Sequence, residues 1–371
     1  MNKHLSISFC TVSMNRVQHV MQTLPVNIAD NKDYPNVEFV LLDYNSSDGL
    51  EQYVKENFSA HLKSGILKYY RTGNPEYFHR SHSRNLLFKL AEGDIICNVD
   101  ADNFTGKNFA EYINNMFGKN RNIFLTTLHK TGTTFRRDVM GRICINRNDF
   151  YRTGGFDERM ASYGFEDYDL ANRLEMAGVT RECFENGEYF KAIQHQQAER
   201  LSNEFVSLNL HSILIRYISP STSDFLFLFK TGNFQRGIIV NNNIYRYEQP
   251  LNRIREIELD MAQKHSILEY NWTEGSWDHT GQSIELKWDS VKGERLEFTS
   301  TGKCFSGAEG KYYPLSETGI IARAIMLFSQ LTNRAILTAN MAESRYEVNS
   351  NGFGMDTVVK NFDSANPIQI N

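Results

Sequence analysis

Two groups of carboxylates are spaced as if for chemistry. One is Asp100-Ala101-Asp102. The other, Glu166-Asp167-Tyr168-Asp169, closes the run Gly-Gly-Phe-Asp-Glu-Arg-Met-Ala-Ser-Tyr-Gly-Phe-Glu-Asp-Tyr-Asp-Leu at 154–170. Crowded carboxylates repel each other, and a hard divalent cation, Mg2+ or Mn2+, shared with the phosphates of a substrate relieves the repulsion. The first group therefore suggests a nucleoside diphosphate, and two separate carboxylate sites together imply a metal and a base. Alone, Asp-x-Asp is equally an ordinary solvated turn, so its position has to decide.

The segment Gly93-Asp94-Ile95-Ile96-Cys97-Asn98-Val99 reads as a buried strand, which puts Asp100 and Asp102 where a strand stops and a loop begins. In an open α/β sheet that edge is the ligand-binding edge. Leu5–Phe9 alternates apolar and small polar residues, Val37–Leu42 is almost continuously apolar, and Ile66–Tyr70 repeats the pattern. Between these strands, Val17, Val20, Met21 and Leu24, and then Leu86, Leu87, Leu90 and Ala91, recur at helical spacing. The fold expected is α/β, a mainly parallel sheet flanked by helices, running to about residue 130. From 131 to 215 the alternation loosens: Arg142–Ile145 is strand-like, and Asp169–Ala177 reads as a helix stopped by Gly178.

After the domain at 1–215, residues 216–245 are expected to connect it, with Ser219–Ser223 as the joint, to a smaller β-rich C-terminal module at 246–371. Ser283–Trp288, Glu294–Thr299 and Tyr346–Val348 carry the alternation there, while Ala322–Leu331 fits a helix or a strand. Trp272, Trp277 and Trp288 lie in this tail and suit core packing better than sugar stacking.

Composition narrows the function further. A chain of 371 residues with net charge −4 and 41% hydrophobic content suits a soluble protein and argues against general nucleic-acid binding. Five scattered cysteines, with no Cys-x-x-Cys, indicate neither a disulfide framework nor a zinc site and fit a reducing compartment. The chain opens on a strand pattern rather than a signal-peptide pattern, and its longest apolar run, Phe225–Phe229, is too short to cross a bilayer. A cytoplasmic protein, at most peripheral at the inner face of the membrane, is expected.

Five motifs follow in order: Thr11 to Arg16, Leu41 to Gly49, Ser83-Arg84-Asn85, Asp100-Ala101-Asp102 and the 154–170 run. This order resembles the inverting glycosyltransferase family 2, of the GT-A fold. The last run is similar to the catalytic segment of β-1,4-galactosyltransferases and of bacterial chondroitin-polymerase-type enzymes. The resemblance covers residues 5 to about 200 and divides the first domain into a nucleotide-sugar half (1–130) and an acceptor and catalytic half (131–215). It implies a uracil contact at Asp43, with Thr11, Asn15 and Arg16 holding the base and Arg84 near the diphosphate. It further implies that Asp100 contacts ribose or metal, and that Asp102 is the metal ligand, with His195 completing the shell. By the same resemblance Asp167 is the general base, Glu166 hydrogen-bonds the acceptor, and Gly155, Asp157 and Tyr163 line the acceptor site. Tyr163 stands where the galactosyltransferases have a stacking tryptophan.

Each of these residues has a plainer reading. Asp43 could cap a turn, Arg84 could be a helix-surface charge, and the acids at 166–169 could only stabilise a helix start. His195 could be structural. Arg136, Arg137, Arg142, Arg147 and Arg152, a basic stretch beside the acceptor face, read more readily as solvated surface than as a phosphate or acidic-glycan site. The combined expectation is an inverting, Mn2+- or Mg2+-dependent transferase moving a hexose from a UDP-sugar to a carbohydrate or lipid-linked glycan, in bacterial surface polysaccharide synthesis. The competing readings are a retaining transferase on the same fold and a non-catalytic glycan-binding or nucleotide-sugar-binding protein. Peripheral membrane docking or self-association through the tail is a further expectation.

Overall fold

The computed structural model describes residues 4–127, 139–184, 187–194, 197–219, 222–240, 273–288 and 292–371. His195, Arg136, Arg137 and Trp272 lie outside the described residues. The chain forms two compact units, Met1–Phe205 with Thr332–Asn371, and Val206–Leu331.

In the first unit, β1 (Ile7–Ser13), β2 (Val37–Tyr44), β3 (Leu67–Thr72) and β4 (Ile95–Asn98) are parallel. All four residues of β4 are buried, as expected of a strand covered on both faces, and this explains why Ile95–Cys97 is apolar throughout rather than alternating. Side chains alternate across the sheet. Phe9 and Leu41 pack on one face with Val20, Phe109 and Ile113, while Cys10, Val40 and Leu42 pack on the other with Leu86, Leu87, Phe150 and Leu170.

The strand order β3-β2-β1-β4 reverses at β1, so a crevice opens at the carboxyl ends of β1 and β4. Beyond β4 come β6 (Ile143–Asn146), β5 (Ile123–Thr126) and β7 (Thr180–Cys183), with β6 antiparallel to both of its neighbours. Two strands near the C-terminus, β16 (Asp356–Lys360) and β17 (Ile368–Ile370), extend the other edge through antiparallel pairing of Val359 with Arg71.

The second unit is a closed antiparallel barrel, so these strands have no exposed edge. Its strands are β8 (Leu210–Ser219), β9 (Thr222–Phe229), β10 (Asn233–Val240), β11 (Thr273–Thr280), β12 (Ser283–Trp288), β13 (Lys292–Phe298), β14 (Phe305–Gly307) and β15 (Gly310–Pro314). Leu214, Leu226, Leu228, Phe234, Ile284, Leu286, Leu296 and Tyr312 fill it, with Trp277 and Trp288 packed against them. Asp224, 1% exposed, accepts from Arg216, Arg236 and the Tyr312 hydroxyl at 2.8–2.9 Å.

The boundaries drawn from sequence differ from these units. The stretch expected to connect domains, 216–245, supplies the end of β8 together with β9 and β10, because barrel pairing is non-local and leaves no mark in composition. The module expected at 246–371 is divided: β11–β15 belong to the barrel, while residues from Thr332 on belong to the first unit. Ala322–Leu331 is helical, inside Thr318–Ala342, and Tyr346–Val348 is not a strand. Gly178 does stop its helix, at φ 84°.

Candidate active site

Of the helices α1 (Val17–Asn31), α2 (Leu50–Asn57), α3 (Ser59–Ser64), α4 (Arg80–Leu90), α5 (Phe109–Lys119), α6 (Arg147–Arg152) and α7 (Glu166–Met176), the site is set by α1 after β1, α4 before β4, α5 after it, and α7. Asp48 caps the first, accepting from the Val17 amide at 2.7 Å. The His79 ring accepts from the His82 amide at the start of α4 and so fixes the turn on which Arg80 and Arg84 stand.

The guanidinium of Arg84, 7% exposed at its side chain, is the hub. One nitrogen lies 2.8 Å from Asp167 Oδ1 and 3.3 Å from Glu166 Oε1, and the other lies 3.1 Å from Asp100 Oδ1. Asn98 adds a bond to Asp100 at 2.9 Å. Arg84 was expected to face a diphosphate; its fork instead bridges the β4 loop to the start of α7. One guanidinium against three carboxylates leaves a net negative cluster, and a proton is the natural compensation. Burial, reinforced by Glu166 and Asp100, pushes the Asp167 carboxyl up to about 8 despite Arg84. Burial also acts to raise Asp100, but there Arg84 and Asn98 win and hold it below the usual carboxylate range. The dipole of α7 does not keep Asp167 ionised; desolvation outweighs it.

Of the three acids in the first turn of α7, Asp169 turns inward to Arg173 at 2.6 Å, leaving Glu166 and Asp167 with Arg84. Glu166 Oε2 is buried without a hydrogen-bond partner among the described residues. Asp102, half-buried, lies beyond Asp100 in the same loop, and its carbonyl accepts from the Ile193 amide at 2.8 Å. Among the described residues, no three of His, Cys, Asp and Glu gather to hold a metal.

Asn15 and Arg16 lie in the β1–α1 loop, Asn15 at φ 55°. Asn15 ties this loop to the next, accepting from the Ser47 amide at 2.8 Å and donating to Asn203 at 3.0 Å. Arg16 pairs with Glu199 at 3.6 Å. Thr11 is in mid-strand rather than in the loop.

Three expected ligand contacts look elsewhere. Asp43 is fully buried and accepts from the Ser46 amide and the Tyr69 hydroxyl, both at 2.7 Å, so it caps its turn. Asp157 is equally buried, bound by Arg159 and by Asn340 at 2.9 Å. At Gly155 an added Cβ would lie 2.4 Å from Asn85 Oδ1, so the glycine serves close packing. Tyr163 has the Arg80 guanidinium 4.4 Å from its ring centre, which covers one face.

Sequence reasoning missed two buried groups here. Arg80 meets Glu204 at 2.9 Å, and burial pushes that carboxyl, 1% exposed, up to about 7 with Arg80 opposing. Arg142, expected on a solvated surface, is fully buried and donates to the carbonyls of Tyr189 and Phe104 beneath the Asp100–Asp102 loop. Neither has a local signal, since an arginine's burial depends on where distant carbonyls are placed.

Residues 8–170 match the family model described as glycosyl transferase family 2. No curated protein matches the chain. Among solved structures it is similar to a mannosyltransferase from Pyrobaculum calidifontis in complex with GDP-Man and Mn2+, at 17% identity and TM-score 0.44, covering 55% of this chain and 63% of that one. It thus spans less than two thirds of that enzyme's length. It is also similar to S. aureus TarS 1–349 in complex with UDP, at 12% identity and TM-score 0.43, covering 78% and 98%. A third likeness is the catalytic domain of Drosophila β1,4-galactosyltransferase 7 in complex with xylobiose, at 14% identity and TM-score 0.36, covering 54% and 75%. Likenesses this distant say nothing of what this chain binds.

Proposed function

We propose that this chain, whose residues 8–170 match the model of glycosyl transferase family 2, is an inverting, metal-dependent enzyme of the GT-A fold that moves a hexose or hexose derivative from a UDP-sugar to a carbohydrate acceptor. The observation that carries the reading is the Arg84 fork, which holds Asp100 at the sheet edge and Asp167 at the start of α7 within the width of one guanidinium.

Asp100 and Asp102 offer only oxygen donors and are partly exposed where β4 ends, which suits a hard cation that takes its remaining ligands from phosphate and water. Asp102 and Asp100 would hold such a cation, and it would offset the charge of the departing nucleoside diphosphate. Arg84 engages Asp167 Oδ1, so Oδ2 is the oxygen offered to the acceptor hydroxyl. As that hydroxyl's oxygen bonds to the anomeric carbon, its proton passes to Asp167 and the bond to the diphosphate oxygen breaks on the opposite face, inverting the centre. General-base help of this kind contributes typically 10²–10⁴-fold. Glu166 Oε2, buried without a partner, is free to accept from a second acceptor hydroxyl. The setting we favour is bacterial surface polysaccharide synthesis at the cytoplasmic face of the membrane.

The test is a panel of UDP-sugars with mixed glycan acceptors and Mn2+, following UDP release with and without EDTA, beside Asp102→Ala and Asp167→Asn. Release from one donor that EDTA and both variants abolish is expected. Undiminished turnover in EDTA, or in Asp167→Asn, would refute the assignment.

A further inference from the structure

The segment after the barrel returns to brace the catalytic loop. Asn333 is fully buried, and its amide donates to the carbonyls of Ser162 at 2.6 Å and Gly164 at 2.7 Å, while its Oδ1 is buried with no partner. Both amide hydrogens are thus spent on the turn that leads into Glu166 and Asp167.

That turn is strained. Gly164 has φ 96°, and Phe165, the residue before α7, sits in the left-handed region at φ 69°, where a side chain with a Cβ is disfavoured. Such a conformation persists only where its surroundings over-determine it. Two helical turns further on, the buried amide of Asn340 donates to Asp157 Oδ2 and Asp169 Oδ1, both at 2.9 Å, and so fixes the far side of the same loop. Asn349 closes the grip on the carbonyls of Gly154 and Phe156.

We propose that Asn333 is a positioning residue for sugar transfer: by holding the Ser162 and Gly164 carbonyls it keeps the left-handed turn at Phe165 and thereby aims Asp167 and Glu166 at the acceptor. Asn333 touches neither donor nor acceptor. The proposal rests on Asp167 being the base, and donor binding should be independent of it.

The experiment compares Asn333→Ala, Asn333→Asp and Asn333→Gln with the unaltered chain by steady-state kinetics, UDP–Mn2+ binding calorimetry and hydrogen exchange of the 158–168 peptides. Asp has the size of Asn but cannot donate, whereas Gln keeps the donor. Expected are a fall in kcat of about 10- to 100-fold in the Ala and Asp variants, as for a small misplacement of a reacting group, unchanged donor KM and UDP affinity, faster exchange at 158–168, and partial recovery in Gln. Unchanged kcat in Ala and Asp would overturn it. So would a parallel loss of UDP binding and of the thermal transition, which would make Asn333 a general scaffold residue. If the unaltered chain transfers no sugar, the function proposed above fails by itself, and unchanged exchange at 158–168 in the Ala and Asp variants would still overturn the brace.

Discussion

Replacing Asp167 by Asn should change how stability depends on pH. The carboxyl is pushed up to about 8 in the folded chain by burial, with Glu166 and Asp100 adding to it, against about 3.9 when unfolded. Below about pH 4 both states hold the proton, and the fold keeps the full benefit of the raised value. Between about 4 and 8 only the folded state holds it, so stability falls by about 1.4 kcal/mol per pH unit, and above 8 the loss is complete. The sum over that window is of order 5 kcal/mol relative to an amide, which never titrates. Denaturant midpoints of both chains from pH 5 to 9 measure this: the curves should converge towards acid and separate steadily up to pH 8, with Asp167→Asn the more stable. The same group must be ionised to act as a base, so kcat/KM should drop about tenfold per pH unit below the Asp167 midpoint. Cation bound at Asp100 removes one source of the repulsion and should move that midpoint down. Parallel stability curves would refute the reasoning.

Three other outcomes follow from buried contacts. Arg80→Met strands Glu204 without its partner and should lower stability above pH 7 by about 3–5 kcal/mol, measured as a drop in Tm that shrinks at pH 5 where the carboxyl is neutral. Gly154→Ala places a Cβ 2.1 Å from the Val348 carbonyl at φ 72°, so the tail should loosen from the first unit, visible as protease cleavage near 340–350 and a loss of at least about 2 kcal/mol. Asp224→Ala removes the buried acceptor shared by Arg216, Arg236 and Tyr312, leaving the two arginines only Glu309 and Glu294, and should cost about 1.5–3 kcal/mol in barrel unfolding while leaving UDP affinity unchanged.

The half of the fold that was legible was written locally. Phe39–Leu42 and Ile95–Cys97 are buried on both faces and therefore continuously apolar, and Asp100 stands where β4 stops. The barrel and the returning edge strands were not legible, because closure and pairing such as that of Val359 with Arg71 are contacts between distant residues with no periodicity of their own. Thr318–Ala342 carries apolar residues on more than one face, so its 25 residues did not declare a period. Type and order pointed to Asp100, Glu166 and Asp167, which the structure gathers on Arg84, but they carry no information on role. An aspartate capping its own turn, as Asp43 does, or clasped by Arg159, as Asp157 is, reads the same as one awaiting a ligand. The partners of Arg84 depend on how α4 is set against α7, which no local pattern shows.

The excursion of the chain into the barrel between Phe205 and Thr332 has a bearing on synthesis. Sheet strands β1 to β7 emerge from the ribosome first, and the barrel next, but the asparagines that grip residues 154–164 follow only after the barrel is made. With Asn333 as the brace proposed above, a nascent chain would own every carboxylate of the site while its turn at Phe165 is still unset, and transfer would begin only after the barrel, together with the closing strands at the sheet's edge.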